Sequence, residues 1–208
     1  MILSIEVAMG RKKTHSRDEI LAAAMEVFRD HGFAGTSAEM LVERIGVSRY
    51  SLYSDFGNLQ GLFEAALERY NDEIIDLRFG PLEQPEASLT EILNLLDFYG
   101  SAGQGPAAGR GCLLCNTAVE FGPADPTGSG AIERYFQRLA GAFENALSNA
   151  RERGQIPQSI DTQREASFLT SVVLGLFVLI RAKASSDVIE QAAREAKKNV
   201  EAMAALSA

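Results

Sequence analysis

Residues 37–56 read SAEMLVERIGVSRYSLYSDF, and the rest of the chain follows from how this stretch folds. Two short helical patterns meet at Gly46. Leu41, Val42, Ile45, Val47, Leu52 and Phe56 stand where apolar contacts would lock two helices across a turn. Just upstream, Thr36 and Glu39 have the T-x-x-E spacing of a capping box, which marks a helix start. Gly46 follows Ile45 where the first helix must stop, because glycine accepts the positive φ of a tight turn. Ser48 is the expected N-cap of a second, very short helix, which leaves Arg49, Tyr50 and Ser51 uncovered at its front.

A helix-turn-helix of this kind presents that end to the major groove of DNA. Ser48, Ser51 and Tyr53 offer hydroxyls to phosphate oxygens, and amides at a helix start attract the same anions. Arg49 can fork onto a guanine edge or a phosphate, and Tyr50 can pack on a thymine methyl or stack on sugar. Thr36 and Ser37, with Lys12, Lys13 and Arg17 upstream, complete the expected contact set. From these residues alone, an ordinary helical hairpin with a polar tip fits equally well.

Moving outward, Ser16 and Glu19 form a second capping box. They open a helix with Ile20, Ala23, Ala24, Val27 and Phe28 on its inner face; Gly32 ends it, and Phe33 plugs the small core behind the hairpin. Asn58 caps a longer fourth helix, predicted over 59–78, after which Pro81 and Pro85 make 79–87 a boundary loop. Five further helical segments follow: 89–99, 112–121, 132–153, a helix capped by Asp161 running to about residue 184, and one from Ser186. The sixth is expected to stop at Gly122-Pro123 and the seventh at Gly154. Within the eighth, VVLGLFVLI (172–180) is apolar all round but far shorter than the ~20 residues a bilayer needs. A helix with one face on the core and another on a partner subunit is the better reading. The Gly-rich stretch 100–111 lacks the order and the Lys-Ser/Thr ending of a phosphate-binding loop. The predicted fold class is all-α, with about nine helices and no strand.

At 208 residues, 46% hydrophobic and 23% charged, the chain can bury a proper core in one or two domains. Its net charge of -8 argues against non-specific nucleic-acid binding through bulk charge. Residues 1–60 hold 7 Lys/Arg and 8 Asp/Glu, a net of -1, so the acidic excess lies beyond the hairpin. Arg11, Lys12, Lys13 and Arg17 cluster at the front. Two cysteines in a chain this long build no disulfide framework, and MILSIEVAM lacks the basic start and full apolar run of a signal peptide. A reducing cytoplasm is expected, with no membrane span. Met9 reads as the natural start, with residues 1–13 a flexible arm.

The stretch GVSRYSLYSDFGNLQGLFEAAL (46–67), after EILAAAMEVFRDHGF (19–33) and GTS (35–37), resembles the DNA-binding domain of the TetR family of bacterial repressors. The resemblance implies a three-helix DNA-binding domain, here 14–60. The fourth helix would join it to an effector-binding and dimer-forming helical domain, 79–208. It further implies that the last two helices pair with their copies in a homodimer, through residues such as Leu174, Phe177, Val178, Ile189, Ala193 and Val200. Two recognition helices would then sit about one DNA turn apart on a palindromic operator. Leu59 stands where the family often carries a phosphate-gripping lysine, and Val42 where a small alanine is common.

Beyond the hairpin the one chemistry-like motif is the CLLC pair, Cys112 and Cys115. A zinc site needs about four ligands, and the only histidines, His15 and His31, lie in the DNA-binding part. A thioredoxin-type site needs a strand-helix context that is absent. That leaves two small core residues, or a sensor thiol. The Arg-Gly-Cys-Leu run at 110–113 looks like a branch of the family in which some members respond to thiol-reactive compounds. There the helix start and Arg110 would lower the Cys112 pKa. A non-covalent small-molecule effector would instead sit among Phe98, Tyr99, Cys112, Cys115, Asn116 and Phe136. Glu120 reads as a solvated charge. The expected function is an operator-binding repressor released by a small molecule or thiol modification, with no catalysis, cofactor or metal. The rivals are a helical thiol-dependent redox enzyme using both cysteines and a ligand-binding helical module without a DNA role.

Overall fold

Ser16 caps the first described helix, as the sequence predicts. In the computed structural model, which describes residues 15–121 and 127–206, its hydroxyl accepts the Glu19 amide (3.2 Å) while the Glu19 carboxylate accepts the Ser16 amide (2.7 Å). Two donors that a helix start would leave unpaired are thereby satisfied. The helix they open, α1 (Arg17–His31), buries Ile20, Leu21, Ala24, Val27 and Phe28 and closes on Gly32. The expectations for Met9, for the arm at 1–13 and for a stop at Gly122-Pro123 lie outside the described residues.

The hairpin follows as α2 (Ala38–Ile45) and α3 (Arg49–Ser54), with Gly46 left-handed at φ 77° between them. Its start differs from expectation. Ser37, not Thr36, caps α2 by accepting the Met40 amide at 3.1 Å. Thr36 is buried and donates to the Gly32 carbonyl at 2.6 Å, which ties the loop back to α1. That use of the hydroxyl, one residue too early for the cap, turns Thr36 away from any DNA-facing surface.

Asn58 caps the next helix through the Gly61 amide (2.9 Å). The helix runs from Leu59–Tyr70 through a π-helical turn, Asn71–Ile75, into Asp76–Glu83, and is treated as one element, α4. It therefore passes the predicted stop at 78 and contains Pro81. A proline inside a helix removes one hydrogen bond and costs about 3 kcal/mol. The last turn is held by the burial of Phe79 and Leu82 and by Asn145, which donates to the Leu82 and Gln84 carbonyls at 2.7 and 3.0 Å. Arg138 adds ion pairs to Glu83 and Asp76 at 2.5 and 2.7 Å.

The remaining helices are α5 (Leu89–Ser101), α6 (Leu113–Glu120), α7 (Ser129–Glu152), α8 (Thr162–Arg181) and α9 (Ser186–Ala205). Among the described residues this makes nine helices and no strand. One apolar core runs continuously through head and body. Phe63 of α4 joins the two, its ring 4.8 Å from Phe28, 5.0 Å from Phe33 and 6.1 Å from Phe121.

α8 is long and apolar enough, by length and composition, to cross a membrane, and among the described residues it is alone in this. Its packing explains the composition differently. Val173, Leu176, Phe177 and Ile180 are buried inside the protomer, while Val178 on the opposite side is 51% exposed. α9 lies tightly on α5, where a Cβ on Gly100 would come within 2.9 Å of Ala193 Cβ. Phe177, Ile189, Ala193 and Val200, expected at a dimer face, are thus buried within one chain. Their apolar spacing reports intramolecular helix packing, which sequence periodicity does not distinguish from a subunit contact.

Candidate nucleic-acid interface

The exposed tip of the hairpin is the front of α3. Leu52 is fully buried and anchors this six-residue helix, while Tyr50 is 84% exposed. Ser48 caps the helix by accepting the Ser51 amide, and the two serine hydroxyls lie 3.0 Å apart. Tyr53 is half-buried against the core. Arg17 lies across the Phe56 ring at 4.7 Å, which places it beside the α3–α4 turn. Of the predicted contact set, Ser37, Ser48, Arg49 and Tyr50 are exposed, Thr36 is not, and Lys12 and Lys13 lie outside the described residues.

Arg49 has a partner that sequence reasoning missed. Its Nη1 is 3.0 Å from Glu39 Oε1 on α2, both side chains being exposed. The T-x-x-E spacing had assigned Glu39 to a capping box with Thr36. With Ser37 as the cap, Glu39 becomes the second helical residue and is free to reach across the hairpin.

The body presents the opposite arrangement. Cys112 and Cys115 are both free and buried. Cys112 donates to Tyr135 Oη at 3.3 Å, and the Tyr70 hydroxyl also bears on it. Burial pushes the Cys112 thiol up, partly offset by these phenols, and pushes Cys115 up to about 12. Burial likewise raises Tyr70, Tyr99 and Tyr135. A thiol lowered by the start of α6 and by Arg110 is therefore not what forms. Cys112 sits inside the core, and Arg110 bonds Asp30 and Glu26 on α1 at 2.6 and 2.9 Å. That contact holds the Asp30 carboxyl below its ordinary range.

Not all the predicted effector residues converge. Tyr99 joins the buried cluster, edge-on to Phe177 at 4.8 Å. Phe136 packs beside Tyr135, and Asn116 donates to the Arg110 carbonyl at 2.8 Å. Phe98 packs edge-on to Tyr99 at 5.1 Å but turns outward, under Arg78 at 3.7 Å, where it lines a surface groove of about 270 Å³ with Leu77, Pro81 and Leu95. Tyr70, buried on α4, meets Cys112 only through the fold. Among the described residues no group of three or more His, Cys, Asp or Glu side chains is arranged to hold a metal.

A three-helix head with an outward helix-turn-helix, joined by one long helix to a helical body, defines a DNA-binding transcriptional regulator. Residues 20–66 match the bacterial regulatory proteins of the tetR family, and residues 88–196 match the tetracyclin repressor-like C-terminal domain. The chain belongs to the TetR family. It is 28% identical to the transcriptional repressor ComR of Escherichia coli, over 91% of this chain and 90% of that one. It is also 28% identical to the transcriptional regulator YezE of Bacillus subtilis, over 88% and 94%. A cysteine-substituted form of the TetR-family regulator CifR, solved on 26-base-pair operator DNA, superposes with a TM-score of 0.80 at 24% identity. That superposition covers 91% of this chain and 98% of CifR.

Proposed function

We propose that the protein is a cytoplasmic, homodimeric repressor that binds a palindromic operator through Ser37, Ser48, Arg49, Tyr50, Ser51 and Tyr53. The carrying observation is the front of α3: a large aromatic and a guanidinium stand exposed on a helix whose other side is anchored by a fully buried Leu52. A base edge with its flanking phosphates offers an exposed Tyr and Arg set side by side a complementary partner surface. Arg17 and the arm lysines Lys12 and Lys13 add phosphate contacts. The outer stripe of α8, where Phe168 and Val178 are exposed and Leu174 half-buried, supports a subunit contact there.

An effector releases the operator by entering the body near Tyr99, Cys112, Asn116 and Phe136. The operator-bound CifR neighbour carries substituted cysteines, which keeps a thiol route in view for this chain. Here both thiols are buried and held protonated, so covalent modification must wait for the region to open, because the thiolate is the reactive form. The test is binding of the purified protein to DNA from its own upstream region, with and without a thiol oxidant, alongside its mass in solution. Tight, salt-sensitive binding by a dimer supports the reading, and abolition by the oxidant adds the thiol route. A monomer that ignores every fragment, including DNA selected from a random pool, sinks it.

A further inference from the structure

Beside the shared apolar core, head and body are joined by the chain itself and by a set of polar contacts. The covalent join is α4, whose middle is the π turn Asn71–Ile75, a place where the regular hydrogen-bond ladder is interrupted. One helix with a loosened turn does not by itself fix the pose of a domain hung on its end. The second join is a grip on the C-terminal end of α1, built from three body side chains distant in sequence. Glu120, at the end of α6, accepts the amides of Phe33 and Ala34 at 3.1 and 2.6 Å. Arg181, at the end of α8, donates to the Arg29 and Asp30 carbonyls at 3.1 and 3.2 Å, and to Gly109 at 3.2 Å. Arg110 closes the set through Asp30 and Glu26. The fit is tight: a Cβ on Gly32 would lie 2.8 Å from Glu120 Oε2.

These bonds differ from ordinary surface ion pairs, which hold little. Arg181 binds carbonyls that the end of α1 leaves unpaired, Glu120 binds amides in the turn just beyond it, and each bond is charge-assisted. We propose that Glu120, Arg181 and Arg110 are positioning residues that fix the head's pose on the body, and so set the half-site spacing the dimer accepts. The inference rests on the dimeric operator-binding reading above. The leverage is large enough: α1 is about 22 Å long, so a swing of about 10° about its gripped end moves the far end by about 4 Å, close to one base-pair step of about 3.4 Å.

The test uses the full-length protein and an operator selected from random DNA, re-made with its half-sites moved by one and two base pairs in each direction. The parent is expected to bind one spacing and to lose ten-fold or more at each single-base-pair shift. The double variant Glu120→Ala, Arg181→Ala is expected to flatten that profile to within about three-fold while remaining a dimer with helical content unchanged. Glu120→Gln, which keeps one acceptor, should flatten it partly, and Arg181→Lys, which keeps a donor, should restore most of it. Should the double variant fold poorly, Glu120→Gln alone carries the comparison. A variant that keeps the parent's sharp profile, whether at full or uniformly weakened affinity, overturns the inference while leaving the operator reading intact. A parent dimer indifferent to spacing overturns the inference alone, and a parent bound as a monomer to one half-site overturns both.

Discussion

At the tip of the head, Tyr50 is 84% exposed and Arg49 reaches a single carboxylate across the hairpin. In the body, Cys112 is 1% exposed and Tyr135 wholly buried; the thiol meets Tyr135, Tyr70 and the backbone of Leu114 and Cys115. Both regions are helices packed on the same continuous core. The head carries its polar chemistry outward on caps and first turns, where it costs nothing to keep hydrated. The body encloses its polar chemistry, where each group must find a partner or be held neutral. The exposed tip can therefore meet a partner without rearrangement, whereas the buried cluster responds to anything only if packing is disturbed.

The comparison breaks most severely at Phe63, which belongs to both regions. Phe63→Ala removes a fully buried ring in contact with Phe28, Phe33 and Phe121 and is expected to cost about 3–5 kcal/mol. Helical circular dichroism and tyrosine fluorescence should lose midpoint together in urea. Two separated transitions would mean that head and body are energetically independent despite the shared core.

Arg49→Ala tests the outward chemistry alone. If Arg49 forks onto a guanine, its loss removes about 1–3 kcal/mol of discrimination per half-site at one operator position, with stability moving by less than about 0.5 kcal/mol. Fluorescence anisotropy on operators altered base by base reads the first, and urea unfolding the second. A uniform loss at every base, with a shallower salt dependence, would reassign Arg49 to a phosphate.

The buried chemistry has its own signature in alkali. Cys115 is pushed up to about 12, and Cys112, Tyr70 and Tyr135 are raised by the same burial, so the native state keeps protons that the unfolded chain releases. For Cys115 this stabilisation is fully present below about pH 9 and is lost as pH rises towards 12, at about 1.4 kcal/mol per pH unit. Urea midpoints at pH 8, 9 and 10 should fall progressively. Cys115→Ala should make the fall shallower, and Arg49→Ala should not alter it. An unchanged midpoint across that range would show the thiol to be more open than its burial indicates.

What could be read beforehand divides along the same line. Caps, turn glycines and helical stripes are local, so Ser16, Gly46, Ser48, Asn58 and Asp161 all signalled their helices correctly. Thr36 misled because T-x-x-E spacing does not say which of two adjacent hydroxyls takes the cap. Pro81 misled because the contacts that keep its helix intact come from α7, some 60 residues on. The outward residues of α3 were legible as chemistry. The meeting of Tyr70 with Cys112, the capture of Arg110 by α1 and the grip of Glu120 on Phe33 and Ala34 were not, since each joins segments whose sequences carry no mark of one another.

The smallest effect separates two duties of one hydroxyl. Ser48 caps α3 through the Ser51 amide, and the proposed operator contact has the same hydroxyl meet a phosphate. Ser48→Ala removes both and should cost about 1 kcal/mol of stability together with some operator affinity. Ser48→Asp keeps a side-chain acceptor for the same amide and favours the positive end of the helix, so the midpoint should return to near the parent's. Set against a phosphate, however, a carboxylate repels, and operator binding should fall further than in the alanine variant. Stability and binding moving in opposite directions between these two substitutions would establish that the cap itself faces the backbone of the DNA. If aspartate restored both, the hydroxyl would be a helix cap alone, and the outward chemistry of the head would narrow to Arg49, Tyr50 and Ser51.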